Sequence, residues 1–193
     1  MRTTVEQLAP VAEKAAEYMY KNNIRAVFVP GPGAQTASYM IKQAWKNNPS
    51  LSSKPMPHFF AMGKIKEKFR NANRDESKKW VESRLGKHRN TYQNSSVIIM
   101  DDCYHTGVAM GKMQRALLDL GFKQIKTGAF TVQHKLTPGL DFAGLKCAMC
   151  PTFKEFRRQQ HLWAWSSKAQ KLSVGKHFRE SIRNIFRHRG RKK

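Results

Sequence analysis

The chain has 193 residues, 40% of them hydrophobic, with 36 Lys or Arg against 13 Asp or Glu and a formal net charge of +23. This length and apolar content supply one sizeable core with an added element, and no apolar run reaches the length of a membrane span, so no span is expected and no membrane partner is assigned, although an anionic membrane is among the polyanions a basic surface suits. The basic excess points to DNA or RNA; three cysteines at irregular spacing (Cys103, Cys147, Cys150) and an N-terminus, MRTTVEQLAP, without an apolar signal core exclude a secreted disulfide scaffold and fit a cytoplasmic or other reducing intracellular compartment.

A first helix runs to about Asn22, opened either by a capping box of Thr3 and Glu6 or by Pro10 as its first residue, with Val11, Ala15, Tyr18 and Met19 on its apolar face. Arg25 to Val29 is a short strand. Pro30-Gly31-Pro32-Gly33 breaks it, and Ala37, Met40, Ile41, Ala44 and Trp45 then resume helical spacing. After a polar connection from Asn47 to Pro57, His58 to Met62 is a second strand candidate.

Residues 63–90 hold ten Lys or Arg and four acids, and read as a flexible basic excursion with a helix around Asp75 to Leu85. The run from Val97 to Met100 is apolar enough for a buried strand. It is followed by a helix bearing Met113, Ala116, Leu117 and Leu120, a stop at Gly121, a strand from Ile125 to Val132, and a short strand candidate from Leu145 to Met149. Strands alternating with helices predict an α/β fold, an open and mainly parallel twisted sheet flanked by helices. Residues 1–150 form this core.

Residues 151–193 carry thirteen Lys or Arg and two acids, and form a basic, aromatic and helical C-terminal extension. Val174, Phe178, Ile182 and Ile185 lie at helical spacing between cations, predicting a basic amphipathic helix. Arg157, Arg158, Trp163 and Trp165 interleave cations with rings as a base-stacking surface does, and Arg179, Arg183, Arg187, Arg189 and Arg191 continue the candidate nucleic-acid contacts. The same aromatics also suit packing of the extension onto the core. Cys147-Ala148-Met149-Cys150 lacks a second close ligand pair and reads as buried thiols on a short strand.

The chemistry is concentrated in Val97 to Met110, VIIMDDCYHTGVAM. Ligands of a parallel α/β sheet bind at the carboxyl ends of its strands, where Asp101 and Asp102 are expected to emerge and accept hydrogen bonds from vicinal hydroxyls or hold a hydrated Mg²⁺. His105, Thr106, Gly107, Val108 and Ala109 then lead into a helix, so backbone N–H groups can cradle a phosphate. A diol acceptor beside a phosphate cradle describes a site for ribose 5-phosphate.

This stretch resembles the phosphoribosyl-pyrophosphate (PRPP) motif of the type I phosphoribosyltransferases: an apolar strand, two acids, two residues usually aliphatic, then a Thr/Gly-rich loop opening a helix. The resemblance implies that Asp101 and Asp102 bind the ribose hydroxyls and residues 105–109 the 5-phosphate. It places Gly31, Pro32, Gly33 and Ala34 at the pyrophosphate-binding loop, and Lys64, Lys66 and Lys68 on a flexible loop that closes over the site. The implied reaction is Mg²⁺-dependent transfer of phosphoribose to a nitrogenous base. Cys103 and Tyr104 replace the usual aliphatic pair, His105 stands where Asp or Thr is common, and Ala109 stands where a Ser or Thr hydroxyl is frequent. His105 is a candidate general base or a positive charge for the phosphate. The expected partners are PRPP or a related phosphorylated ribose and DNA or RNA, with a homodimer compatible. The alternative is a catalytically inactive protein of this fold serving as a DNA- or RNA-binding or ribonucleoprotein component.

Overall fold

In the computed structural model, the described residues are 5–62, 72–104, 106–133, 139–147, 179–180, 182–187 and 189. The first helix, α1 (Val5–Lys21), buries Leu8, Ala12, Ala15 and Met19 along one stripe. Pro10 lies inside it and does not open it. The buried residues Leu8 and Ala9 precede the proline, so packing holds the turn that its missing N–H would otherwise end.

β1 (Ala26–Val29) is buried at every position. α2 (Pro32–Asn47) follows after only two residues, because the fixed φ of Pro32 suits the first turn of a helix. The expected Gly/Pro loop is therefore shorter than the sequence suggests, and residues 32–34 are helical. β2 (His58–Ala61) pairs with β1 in parallel.

The helix expected around Asp75 to Leu85 within the basic excursion is present, and residues 63–71 of that excursion lie outside the described residues. α3 (Arg74–Leu85) starts at Asn73 with a reciprocal capping box to Glu76 and buries Ser77, Val81 and Leu85. Its charges face outward, and Arg74 forms a two-pronged pair with Asp119 at 2.5 and 2.8 Å. A 3₁₀ turn (Gly86–His88) and a short helix, α4 (Arg89–Tyr92), lead to β3 (Ser96–Tyr104). Then come α5 (Val108–Asp119), β4 (Gln124–Gln133) and β5 (Phe142–Cys147). The last strand is thus set earlier than the 145–149 expectation. Cys147 closes it, and Cys150 lies outside the described residues.

The five strands form one all-parallel sheet in the order β2-β1-β3-β4-β5. The chain moves one way from β1 to β2, then crosses back to β3 and continues to β4. Right-handed crossovers running in opposite directions put their helices on opposite faces. Accordingly α1 and α2 pack with Val27, Val29, Ile98 and Met100 on one face. α3 and α5 pack with Phe28, Phe60, Val97 and Ile99 on the other.

Within the C-terminal extension the described residues 179–180, 182–187 and 189 are helical, here called α6. Ile182 and Phe186 are 0% and 1% exposed and belong to the α1/α2 side of the core. Ile185 packs against that core from its edge. Among the described residues no helix is long and apolar enough to cross a membrane.

Candidate functional site

The strand order fixes where a ligand can sit. In an open parallel sheet the crevice lies beyond the carboxyl ends of the two strands at which the winding direction reverses, here β1 and β3. Two helices begin at that crevice, α2 after β1 and α5 after β3. Both have glycine as N-cap, Gly31 and Gly107, and neither has a side-chain cap. Each therefore presents first-turn N–H groups and the positive end of a helix dipole.

The acids do not emerge at the end of their strand, as expected, but lie inside it. β3 continues to Tyr104, and Asp101 and Asp102 are only 6% and 3% exposed. The sheet is staggered, however. Pairing of β3 with β1 ends at Phe28 opposite Ile99, whereas pairing with β4 continues through Asp101 opposite Ala129 to Tyr104 opposite Val132. The carboxylates thus pass the end of β1 and border the crevice on that flank, while β4 covers them on the other.

Strand alternation sends Asp101 to the face of Val97 and Ile99, and Asp102 to the face of Ile98 and Met100. Asp101 Oδ1 accepts the Asp102 N–H at 2.9 Å, and the Asp102 carbonyl accepts the Thr131 hydroxyl at 2.9 Å. These bonds fix the backbone of the acid pair. Two buried carboxylates in succession are costly to desolvate.

Both acids are oxygen donors of the kind Mg²⁺ takes. Their opposite orientations fit a hydrated ion held through water and substrate phosphate, and do not fit direct chelation by both carboxylates. Among the described residues no three His, Cys, Asp or Glu side chains gather as a metal cage.

Thr106 is exposed, Val108 is 49% exposed and Ala109 is half-buried, so the turn that opens α5 faces solvent. Gly107 adopts φ +69, a conformation that favours glycine. Of the expected pyrophosphate loop, Gly31 and Ala34 are buried, and the group they offer is the backbone. His105 lies outside the described residues, as do Lys64, Lys66 and Lys68.

Of the basic candidates, Arg157, Arg158, Trp163, Trp165 and Arg191 also lie outside the described residues. Arg179, Arg183 and Arg187 are exposed on α6. Arg183 Nε donates to the Tyr39 hydroxyl at 3.0 Å, and Arg189 Nε donates to Glu13 at 2.8 Å. The carboxylate beside Arg189 raises the guanidinium pKa, chiefly through that hydrogen bond. Arg189 is thus engaged in holding α6 to α1.

Tyr104 escaped the residue-by-residue reading of the site. Its ring lies against Gly107, with the hydroxyl 2.6 Å from where a Cβ of residue 107 would stand. The available signal was an aromatic residue at the end of a strand, three positions before a glycine that opens a helix.

No protein-family model and no curated protein matches the chain. Solved structures similar to part of the chain include the following two. The HGPRT-ase of Leishmania tarentolae in complex with GMP is 13% identical, covers 75% of this chain and 79% of its own, and superposes with a TM-score of 0.48. The hypoxanthine-guanine phosphoribosyltransferase of Schistosoma mansoni in complex with IMP is 12% identical, covers 74% and 64% respectively, and has a TM-score of 0.44.

Proposed function

We propose that the crevice between β1 and β3 binds PRPP and that the protein transfers its phosphoribosyl group to a nitrogenous base. The carrying observation is the convergence of two glycine-capped helix N-termini on a buried acid pair at the reversal of strand order. PRPP has a matching layout: a 5-phosphate and a pyrophosphate separated by a ribose diol.

In this reading, N–H groups of residues 106–109 hold the 5-phosphate and those of Gly31, Gly33 and Ala34 at the start of α2 approach the pyrophosphate, Pro32 having no N–H to offer. Asp101 and Asp102 accept hydrogen bonds from the ribose hydroxyls. Their negative charge also favours the cationic sugar that develops as the C1–oxygen bond breaks. A bond then forms from the base nitrogen to C1, and pyrophosphate departs with the electron pair of the broken bond. Mg²⁺, bound through water to the acids and through the substrate's phosphates, would neutralise the leaving group. His105 is assigned to the base proton or to the 5-phosphate charge, and Lys64, Lys66 and Lys68 to closure over the pyrophosphate.

The test is direct. Purified protein with PRPP, Mg²⁺ and a panel of purine and pyrimidine bases releases pyrophosphate with at least one of them. Saturable PRPP binding without release for any base removes the transferase assignment and leaves a PRPP-binding protein. Absence of PRPP binding removes both.

A second reading adds nucleic acid as a partner. It is favoured by Arg179, Arg183 and Arg187 on the solvent side of α6, in a chain of net charge +23. Under it, the fold serves as a DNA- or RNA-binding component whether or not the reaction is retained. Affinity for single- or double-stranded DNA or RNA then falls steeply with salt, because neutralised phosphates release counterions. Salt-insensitive or undetectable binding excludes it.

A further inference from the structure

We infer that the outer faces of α2 and α6 together form a surface for the phosphate backbone of a nucleic-acid duplex, bound without regard to base sequence. The inference rests on the nucleic-acid reading above and gives that partner a place on the fold and a mode of binding.

Tyr39 joins the two helices. Arg183 Nε donates to its hydroxyl at 3.0 Å, and that hydroxyl faces the Arg179 carbonyl at 3.5 Å. Along α2, Lys42 and Lys46 follow Tyr39 at i+3 and i+7, so they continue the same stripe. Along α6, Arg179, Arg183 and Arg187 are spaced by four, and all three are exposed. Each stripe extends roughly 10–12 Å at the helical rise, and the Tyr39 contact sets the two side by side. The bond to Tyr39 engages only Nε of Arg183 and leaves the two terminal nitrogens as donors.

The charge of this surface is not balanced along α2. From Tyr18 to Lys66 the sequence has no Asp or Glu, so the helix offers its lysines no acidic neighbour. Lys42 lies over the Phe59 ring, with Nζ 4.6 Å from its centre, which steadies the half-buried side chain. Burial, and then the charge of Lys46, lower the Lys42 pKa, so the two cations stand close enough to repel. Glu180 is the one acid among the described residues of α6, and it is half-buried. Arg189, engaged by Glu13, stays outside the surface.

The apolar residues of both helices point inward. Met40, Ile41, Trp45, Ile182 and Phe186 are buried, and the exposed large apolar side chains of the described residues, Tyr20, Val108 and Leu118, stand on other elements. A protein interface has an apolar centre and a helix lying in a membrane has an apolar face, and this surface has neither. A row of like charges suits a partner of uniform charge, and duplex nucleic acid carries one charge per about 1.7 Å of its axis. No exposed ring for base stacking stands on the described residues of α2 or α6. The contacts are therefore to phosphates, which set position and not sequence.

The experiment compares wild type with Lys42→Gln combined with Lys46→Gln, and with Lys46→Gln alone in case the half-buried Lys42 is needed for folding. Lys79→Gln combined with Arg115→Gln removes the same charge from exposed positions of α3 and α5, across the sheet. Fluorescence anisotropy over a range of salt measures binding to a DNA duplex and an RNA duplex, each in two unrelated sequences. Phosphatidylserine vesicles are tested beside them, and thermal melts confirm the fold. Wild type is expected to bind one duplex or both, equally for the two sequences, with affinity that falls with salt. The α2 double variant is expected to flatten the slope of log affinity against log salt by about 2 and the single variant by about 1, with less change in the α3/α5 variant. Unchanged slopes in the α2 variants overturn the surface and leave the nucleic-acid reading standing. An equal change in the α3/α5 variant does the same, since it marks a diffuse effect of net charge. A difference of about tenfold or more between the two sequences overturns binding to the backbone alone. Binding to vesicles without binding to either duplex overturns the inference in favour of a membrane. A wild type that binds no nucleic acid defeats the reading and the inference with it.

Discussion

Arg189 Nε donates to Glu13 Oε1 at 2.8 Å, a bond between residues 176 positions apart that fastens α6 onto α1. The pair is partly open to solvent, so its own contribution is modest, about 1 kcal/mol or less. Beneath it, Ile182 and Phe186 supply apolar contact to the core. Phe186→Ala is therefore expected to cost about 3–5 kcal/mol, and Arg189→Ala about 1 kcal/mol or less. Urea unfolding monitored by circular dichroism checks both. Equal, small effects would contradict the packing of Ile182 and Phe186 into the core.

Gly107 is constrained twice, by its positive φ and by the ring of Tyr104. Gly107→Ala is expected to cost about 1–3 kcal/mol and to weaken PRPP binding, because the cradle must open to accept a methyl group. The steric part of the cost belongs to the pair. Combining it with Tyr104→Ala should give a loss smaller than the sum of the two single losses. Strict additivity in thermal or chemical melts would contradict the packing described.

Under the proposed function the acid pair binds the ribose hydroxyls. Asp101→Asn with Asp102→Asn removes two buried negative charges, while an amide oxygen at 101 can still accept the Asp102 N–H. The double variant is expected to lose at least about tenfold in PRPP affinity, the scale of charge-assisted hydrogen bonds, while remaining folded in thermal melts. A melt well below wild type with PRPP affinity intact would make the acids structural.

His58 stacks on His88 with ring centroids 5.2 Å apart, and it also contacts Phe60 and Tyr92. Burial lowers its pKa below the ordinary 6.5, with further lowering from His88 and Lys42. The folded state therefore binds the proton less readily than the unfolded chain. The stabilising effect is complete above pH 6.5 and is lost as pH falls from there through the depressed folded value. Melting temperature should decline over that window, and His58→Gln should flatten the decline. Identical profiles for the two proteins would rule out this ring as a contributor.

Much of the architecture could be read from residue patterns because local rules and packing agree there. The apolar run from Val97 to Met100, the helical stripes in α2 and α5 and the stop at Gly121 each mark an element that the structure contains. The helix expected around Asp75 to Leu85 is α3, and the capping box that starts it lies in Asn73 and Glu76. Pro10 misled because a local breaking rule was outweighed by the burial of Leu8 and Ala9. The fate of α6 was also beyond local reading, since the same amphipathic pattern serves a helix on a core or on a polyanion.

By itself the sequence determined the alternation of strands and helices, the succession of two acids and a Thr-Gly turn, and the excess of positive charge. These are properties of neighbouring residues, set by periodicity, backbone conformational freedom and ionisation. Only the tertiary structure decided that β1 lies between β2 and β3, that β3 runs past β1 far enough to bury the acids yet leave them beside the crevice, and that Tyr104 closes on Gly107. Strand order, stagger and long-range contact depend on which distant surfaces bury one another, and that choice belongs to the folded chain as a whole.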